Sequence, residues 1–341
     1  ARAHTGRDSY IMVEGGYHGL CGAFQWGVED LEEDGGGMVR PYGEGVPQLL
    51  RQLFHLVPLN DGDRLESVLQ QHGDEIGALL IEPILGNCCS IEAGHQYMSD
   101  VRELCNRYGV VMIVDEVKTG FRVARGGVQE LIGIQADVCT FAKALANGYP
   151  ISAIGGREDI MRRIGHGVMH GGTYTAHSVS LAAAEKTLEI LEETDALERV
   201  ADYGKRLQEG FAAILSRRGI AHCFTGHPAM FGLMFAEKAP QNYREWVTSD
   251  YSFYNSLAPR LHERGILCEP DSREPWFISA AHDDECLART LEAFEGAVDE
   301  TIRSLRRGRG KTRSEAVPPK PGRTKLEGGE SSLPPPAALP A

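Results

Sequence analysis

The first half of the chain alternates continuous apolar runs with stretches of helical spacing. Residues 77–82 and 110–114 are apolar runs that end in acids, and residues 96–108 between them place apolar side chains at i, i+3 and i+4 before Gly109. A continuous β-branched run bounded by polar residues is typical of a strand buried on both faces. Strand, helix and strand within roughly thirty residues predict a parallel βαβ crossover.

Three predicted strands end beside residues capable of chemistry. Glu82 ends the first strand, Asp115 and Glu116 follow the second, and Lys143 stands two residues after an apolar run over residues 138–141. The carboxyl ends of parallel strands form the ligand crevice of open α/β sheets. We therefore expect chemistry first at this edge of the sheet.

Further patterns divide the chain into regions. Residues 10–13 and 151–154 predict strands, and residues 67–72 a short helix. From Val179 onward, the pattern predicts two amphipathic helices, and then short strands near residues 220–224, 230–235 and 276–279 that alternate with helical stretches ending near Leu305. The helices are marked by apolar residues at helical spacing, namely Leu181, Ala184, Leu188 and Leu191, then Leu197, Val200, Leu207, Phe211 and Ile214. We predict a large α/β domain over residues 1–178, a smaller α+β domain over residues 179–305, and a disordered Pro- and Gly-rich tail over residues 306–341.

Composition narrows the class of protein. The net charge is −13, and the tail from residue 306 holds eight basic and three acidic residues, so the body is strongly acidic and nucleic acid is not expected as a partner. Eight cysteines without C-x-x-C spacing favour reduced thiols in a cytoplasmic protein over a disulfide framework. No apolar run approaches the roughly 18 residues of a membrane span, so we expect neither a membrane span nor a secretory signal.

Glycine-flanked residues form two further candidate sites. Tyr17 and His18 follow Gly15-Gly16, which suits a loop whose backbone approaches a ligand while a ring lies on it, although a plain surface turn has the same composition. Thr173 follows Gly171-Gly172, the composition of a backbone nest for an anion. His166 and His170 stand four apart, but the glycines around them argue against a helix, and no metal site is expected.

Two enzyme classes fit the Asp115-Glu116 pair. Nucleotide hydrolases hold Mg²⁺ at such a strand end, but they also need a G-x-x-x-x-G-K-[ST] loop, which this sequence lacks. Alternatively, a lysine buried between apolar neighbours has a lowered pKa and can form a Schiff base, while an aspartate keeps a pyridinium nitrogen protonated. Lys143 and Asp115 favour this second chemistry, that of pyridoxal phosphate.

Five motifs follow one another along the chain: YHG, GALLIEP, VDEVKTGFR, TFAKALANGYPISAIGG and HGGTYTAH. Together they resemble the class III pyridoxal-phosphate-dependent aminotransferases of fold type I, and among these the glutamate-1-semialdehyde aminomutase branch. The resemblance spans about residues 1–305. It implies an α/β fold with a large, mainly parallel sheet and a smaller C-terminal α+β domain. It also implies a homodimer with composite active sites, acting on small-molecule amino donors and carbonyl acceptors.

The resemblance also assigns roles to residues. Lys143 resembles the Schiff-base lysine and proton shuttle, and Asp115 the acid that pairs with the pyridine nitrogen. Cofactor contacts carried over in the same way are the ring stacker Tyr17 with His18 beside it, Val117 under the opposite ring face, the strand-end Glu82 on the substrate side, and Gly172 and Thr173, the last reaching the partner's cofactor phosphate.

The chain departs from the family pattern in places. Lys118 stands where many members carry Gln or Met near the cofactor's phenolic oxygen, so it either favours the phenolate or is a solvated surface lysine. Members also carry a Ser-Gly-Thr phosphate loop ahead of the stretch that begins here at Ala1. Three functions therefore stay open: an aminotransferase, an aminomutase, which residues 269–279 resemble, or a dimeric scaffold that is impaired in catalysis.

Overall fold

The computed structural model describes residues 1–29, 31 and 37–308. Its helices are α1 Arg2–Thr5, α2 Gly62–His72, α3 His95–Tyr108, α4 Gly127–Ile132, α5 Glu158–Met161, α6 Ser178–Glu193, α7 Ala196–Ser216, α8 Tyr243–Val247, α9 Ser252–His262 and α10 Asp284–Gly308. Its strands are β1 Ser9–Val13, β2 Trp26–Glu29, β3 Met38–Pro41, β4 Phe54–Val57, β5 Ile76–Ile81, β6 Ile84–Leu85, β7 Ile91–Glu92, β8 Val111–Asp115, β9 Val138–Phe141, β10 Ala153–Gly156, β11 Cys223–Thr225, β12 Met230–Met234 and β13 Trp276–Phe277.

A six-stranded sheet organises the first half of the chain, in the order β10-β9-β8-β5-β1-β4. Every neighbouring pair is parallel except β9 and β10, which are antiparallel. The strand β5 is buried along its whole length, as expected for a strand between helical layers. The predicted α/β architecture with a mainly parallel sheet is therefore confirmed.

The crossover between β5 and β8 agrees closely with its sequence pattern. Helix α3 buries Met98, Val101, Leu104 and Cys105 against the sheet. Gly109 ends the helix with a φ of 64°, a left-handed conformation that glycine adopts without steric cost. Helix α2 is longer than predicted, because the Asp61 side chain accepts the backbone N–H of Arg64 and starts the helix five residues before the predicted residue 67.

The last part of the chain forms a second core. The antiparallel sheet β11-β12-β13 packs with α7, α9 and α10. Phe211 of α7 stacks on Phe294 of α10 with ring centroids 3.8 Å apart, and both rings are fully buried. Helix α10 extends to residue 308, so residues 306–308 are helical, and the remainder of the predicted disordered tail lies outside the described residues.

Helix α6 does not bury the face that its apolar pattern indicated. Leu181 and Leu188 are exposed, and the buried residues are Ser180, Ala184 and Thr187. The small side chain of Ala184 packs on the loop that follows Lys143, through Leu145 and Ala146. The helix itself and the burial of Ala184 agree with the prediction, but the burial of Leu181 and Leu188 was wrong, because the loop after Lys143 packs closely on the small side chains of α6.

Three further properties of the described residues bear on the predictions made from composition. All eight cysteines are free, and Cys88, Cys89 and Cys105 are buried. Among the described helices, none is long and apolar enough to cross a membrane. No group of three or more His, Cys, Asp or Glu side chains in the described part of the chain has an arrangement that could hold a metal ion.

Candidate active site

Asp115 is a buried carboxylate at the end of β8, and its hydrogen-bond partners all lie at this edge of the sheet. Its Oδ2 lies 2.7 Å from His18 Nδ1, and its Oδ1 accepts the Val117 N–H and the Thr140 hydroxyl, each at 3.0 Å. Burial raises the pKa of this carboxyl, but the hydrogen bond and charge of His18, with the other two donors, lower it below its usual value. Asp115 is therefore held as an anion.

Glu82 joins two loops at the same edge of the sheet. Its Oε1 accepts the backbone N–H of Tyr17 at 2.8 Å, and its Oε2 accepts that of Gly86 at 3.2 Å. The side chain is buried, and desolvation raises its pKa although His18 and the Tyr17 N–H oppose this. Glu82 thus positions the Tyr17 loop, where the Tyr17 ring is exposed.

Lys143 begins a short 3₁₀ turn just after β9, on the strand next to Asp115. The strand register pairs Asp115 with Thr140, three residues before the lysine. Its backbone φ is 45°, a left-handed conformation that L-residues rarely adopt and that is concentrated at functional sites. The side chain is exposed, so the predicted burial is wrong. Its pKa is nevertheless lowered, by partial desolvation and by the nearby Lys118 cation.

Lys118 is buried rather than solvated, which excludes the surface interpretation of this residue. Its Nζ donates to Glu274 Oε2 at 2.7 Å and to Asn87 Oδ1 at 2.5 Å. Gly86 provides the space for the aliphatic part, because a Cβ at that position would overlap the lysine Cδ. The ion pair connects the end of β8 to the segment before β13.

Glu116 has different hydrogen-bond partners from its neighbour Asp115. It is fully buried and accepts the backbone N–H groups of Val128 and Gln129 at 3.1 and 3.0 Å, as well as the Thr119 hydroxyl. These bonds satisfy donors at the start of α4. The carboxylate is therefore used in holding the loop between β8 and α4, which leaves it unsuited to the metal role of a nucleotide hydrolase.

Replacing Glu116 with Ala should lower the free energy of unfolding by about 2–4 kcal/mol, because two backbone donors would be left buried without partners. Urea unfolding of the purified chain measures this loss. Glu130→Ala is the matched control, since Glu130 also accepts a backbone N–H in this loop but is exposed. Equal losses in the two variants would contradict the role given to Glu116.

The remaining predicted residues lie apart or at the margin of this cluster. Val117 is half-buried beside Asp115, to which its N–H donates. Gly172 and Thr173 are exposed, and within the described part of the chain neither bonds to Asp115, His18 or Lys143. The single chain therefore does not bring the predicted anion nest to the other site residues.

Sequence reasoning missed three members of the cluster. Thr140 could have been found from the parallel register, which places it opposite Asp115. Asn87 and Glu274 had no local signal, because Glu274 lies 156 residues from Lys118 in the chain. Such a contact is visible only once the two cores are packed together.

Known proteins resemble this chain over most of its length. The profile of the family described as aminotransferase class-III matches residues 1–294. The chain belongs to the class-III aminotransferases. It is 35% identical over 300 residues to glutamate-1-semialdehyde 2,1-aminomutase of Methanothrix thermoacetophila, a match that covers 86% of this chain and 68% of that protein.

Solved structures extend the comparison to the fold. An omega-transaminase from Sphaerobacter thermophilus superposes with a TM-score of 0.83 at 28% identity, covering 88% of this chain and 70% of that one. The FumI protein of Sphingopyxis sp. MTA144, in its PLP internal aldimine form, has a TM-score of 0.75 at 27% identity, covering 89% and 67%. This class-III aminotransferase thus has fold type I of the pyridoxal-phosphate-dependent transaminases. Membership implies a pyridoxal-phosphate-dependent enzyme that carries out transamination or aminomutation.

Proposed function

We propose that this class-III aminotransferase moves an amino group from an amino acid or amine donor to a carbonyl acceptor, with Lys143 as the reactive amine. The observation that carries the proposal is that two neighbouring parallel strands end beside these groups: Asp115, held as an anion, ends β8, and Lys143, whose pKa is lowered, lies just after β9. A carboxylate anion fits the ring nitrogen of pyridoxal phosphate, and an amine with a lowered pKa fits its aldehyde.

When bound, pyridoxal phosphate supplies an aldehyde that condenses with amines and a ring that withdraws electrons from the substrate carbon. Asp115 would keep the ring nitrogen protonated, and His18 would hold that carboxylate in place through their 2.7 Å contact. Tyr17 and Val117 would contact the two ring faces. Lys143, freed by the donor, would carry the proton away from the substrate carbon. Glu82 would support Tyr17 through its backbone N–H.

We further propose a homodimer in which Thr173, with Gly172, reaches the partner's cofactor phosphate. An exposed apolar surface on α6 and the loop before it supports this. It comprises Met169, Tyr174, Val179, Leu181, Leu188 and Ile190. Large exposed apolar side chains in this number on one helix and the loop before it are typical of a protein interface. Leu181→Glu should shift the chain from dimer to monomer in light scattering after size exclusion, whereas Leu131→Glu, on the exposed side of α4, should not. A wild-type monomer would contradict the dimer.

The cofactor experiment comes first. Adding pyridoxal phosphate to the purified chain should produce the absorbance band of a lysine-bound cofactor, and borohydride should then fix the cofactor to the peptide that contains Lys143. Amino donors should next be assayed with added carbonyl acceptors. A chain that shows no new band and no amino transfer would contradict the proposed function and would behave as the impaired scaffold.

An aminomutase is the second candidate, and the aminomutase of Methanothrix thermoacetophila supports it, at 35% identity. Such an enzyme returns the amino group to the same molecule. Product analysis with a single amino-aldehyde substrate separates the two functions. An isomer formed without any acceptor favours the aminomutase, and a strict need for an acceptor favours the aminotransferase.

A further inference from the structure

Lys118 is the buried cation of the active-site edge. Its side chain is 8% exposed, and its ammonium bonds to Glu274 Oε2 and Asn87 Oδ1. The partner Glu274 is 26% exposed. Burying a charge is unfavourable unless it is paired, and Glu274 and Asn87 together accept two of the three ammonium donors. The cation is thus fixed in one position rather than moving on the surface.

That cation lies at the same edge of the sheet as Lys143 and acts on its charge. Three parallel strands, β5, β8 and β9, end side by side, so Glu82, Asp115 and Lys143 gather at one edge, with Lys118 three residues beyond Asp115. The charged groups that act on Lys143 come from each of these strand ends and from the segment before β13. After partial burial, Lys118 has the largest effect in lowering the Lys143 pKa, while Glu82, Glu274 and Asp115 raise it.

We propose that Lys118 and Glu274 are a pair of positioning residues that set the charge state of the Lys143 amine. Lys118 favours the neutral, nucleophilic form by repelling a second ammonium. Glu274 limits that repulsion because it pairs with Lys118 directly. The inference extends the proposed role of Lys143, but the acidity of its ammonium is a property of the protein without cofactor. It can therefore fail or succeed independently of catalysis.

The two members of the pair predict opposite effects. Lys118→Met removes the repelling cation and leaves the Glu274 carboxylate, so protonated Lys143 becomes more stable. Glu274→Gln leaves Lys118 charged but without its anion, so protonated Lys143 becomes less stable. A purely structural link between β8 and the segment before β13 would instead be weakened by both variants in the same direction. The sign of the effect therefore separates charge tuning from simple support.

The test is trace acetylation of the full chain with acetic anhydride between pH 7 and 10.5, after hydroxylamine has removed any carried-over cofactor. Peptide mass spectrometry gives labelling of Lys143 relative to Lys205, an exposed lysine on α7. At pH 8 the ratio should fall about threefold or more in Lys118→Met and rise in Glu274→Gln, because one pH unit corresponds to a tenfold change in the neutral fraction.

The double variant Lys118→Met/Glu274→Gln should return the labelling curve close to that of the wild type, since it removes one charge of each sign. Lys118→Arg should keep the wild-type midpoint, because the cation is retained. Circular dichroism checks that each variant folds. If Lys118→Met does not fold, the labelling curves of Glu274→Gln and of the double variant test the proposal. Unchanged curves, or shifts of the same sign in both single variants, would overturn the proposal. Failure of borohydride trapping would bear on the proposed function alone.

Discussion

Lys143→Ala should lower the rate of amino transfer by about 10²–10⁴-fold from the loss of proton transfer alone. The variant also lacks the only amine that the proposed chemistry uses, so the total loss should be larger. The reason lies in the location of Lys143 just after β9, next to the strand that ends in Asp115, where its pKa is lowered. Single-turnover rates with a donor and bound cofactor measure the effect.

A matched control for Lys143→Ala is Lys205→Ala, which removes an exposed lysine on α7 and should leave the rate unchanged. Borohydride treatment gives a second readout that does not depend on turnover. Cofactor that became fixed to another lysine in Lys143→Ala, with the rate retained, would show that the reactive amine has been assigned to the wrong residue.

Asp115→Asn should reduce the rate by about 10- to 100-fold, because a hydrogen bond to a charged group is worth about 1.5–3 kcal/mol and each 1.36 kcal/mol is tenfold. An amide has nearly the shape of the carboxylate but no charge, so it cannot keep a ring nitrogen protonated. The variant should still bind pyridoxal phosphate, with a changed absorbance spectrum. Measuring the spectrum and the rate together separates loss of binding from loss of the charge.

Asp159→Asn is the control for Asp115→Asn, because Asp159 is an exposed carboxylate whose partners are Arg157 and His4. It should change neither the spectrum nor the rate. If Asp115→Asn retained the wild-type rate and spectrum, the anion at the end of β8 would not be the group that acts on the ring nitrogen, and Glu82 would be the next carboxylate to test.

Most of the sheet around the site could be predicted from local patterns. The runs that form β5, β8 and β9 are apolar over nearly their full length, and α3 carries an uninterrupted helical spacing that ends at Gly109. Such patterns arise because burial on one or two faces repeats at a regular spacing along the whole element. The strand ends then come together because parallel strands share one direction.

Two neighbouring acids show where local pattern stops being informative. Asp115 and Glu116 have the same charge and adjacent positions, yet one is held by His18 and Thr140 and the other by the start of α4. Alternation of side chains along the backbone sends them to opposite sides. Only the packed structure shows which side holds the site.

The amino-acid sequence alone determines that β5, β8 and β9 form parallel strands with Glu82, Asp115 and Lys143 at their ends, because burial patterns and strand direction are encoded locally. Tertiary structure decided what each charged group does. It paired Lys118 with Glu274, used Glu116 at α4, exposed Lys143 and turned the leucines of α6 outward. These outcomes depend on contacts between residues far apart in the chain, whose pairing is set by the packing of the two cores and not by the spacing within any one element.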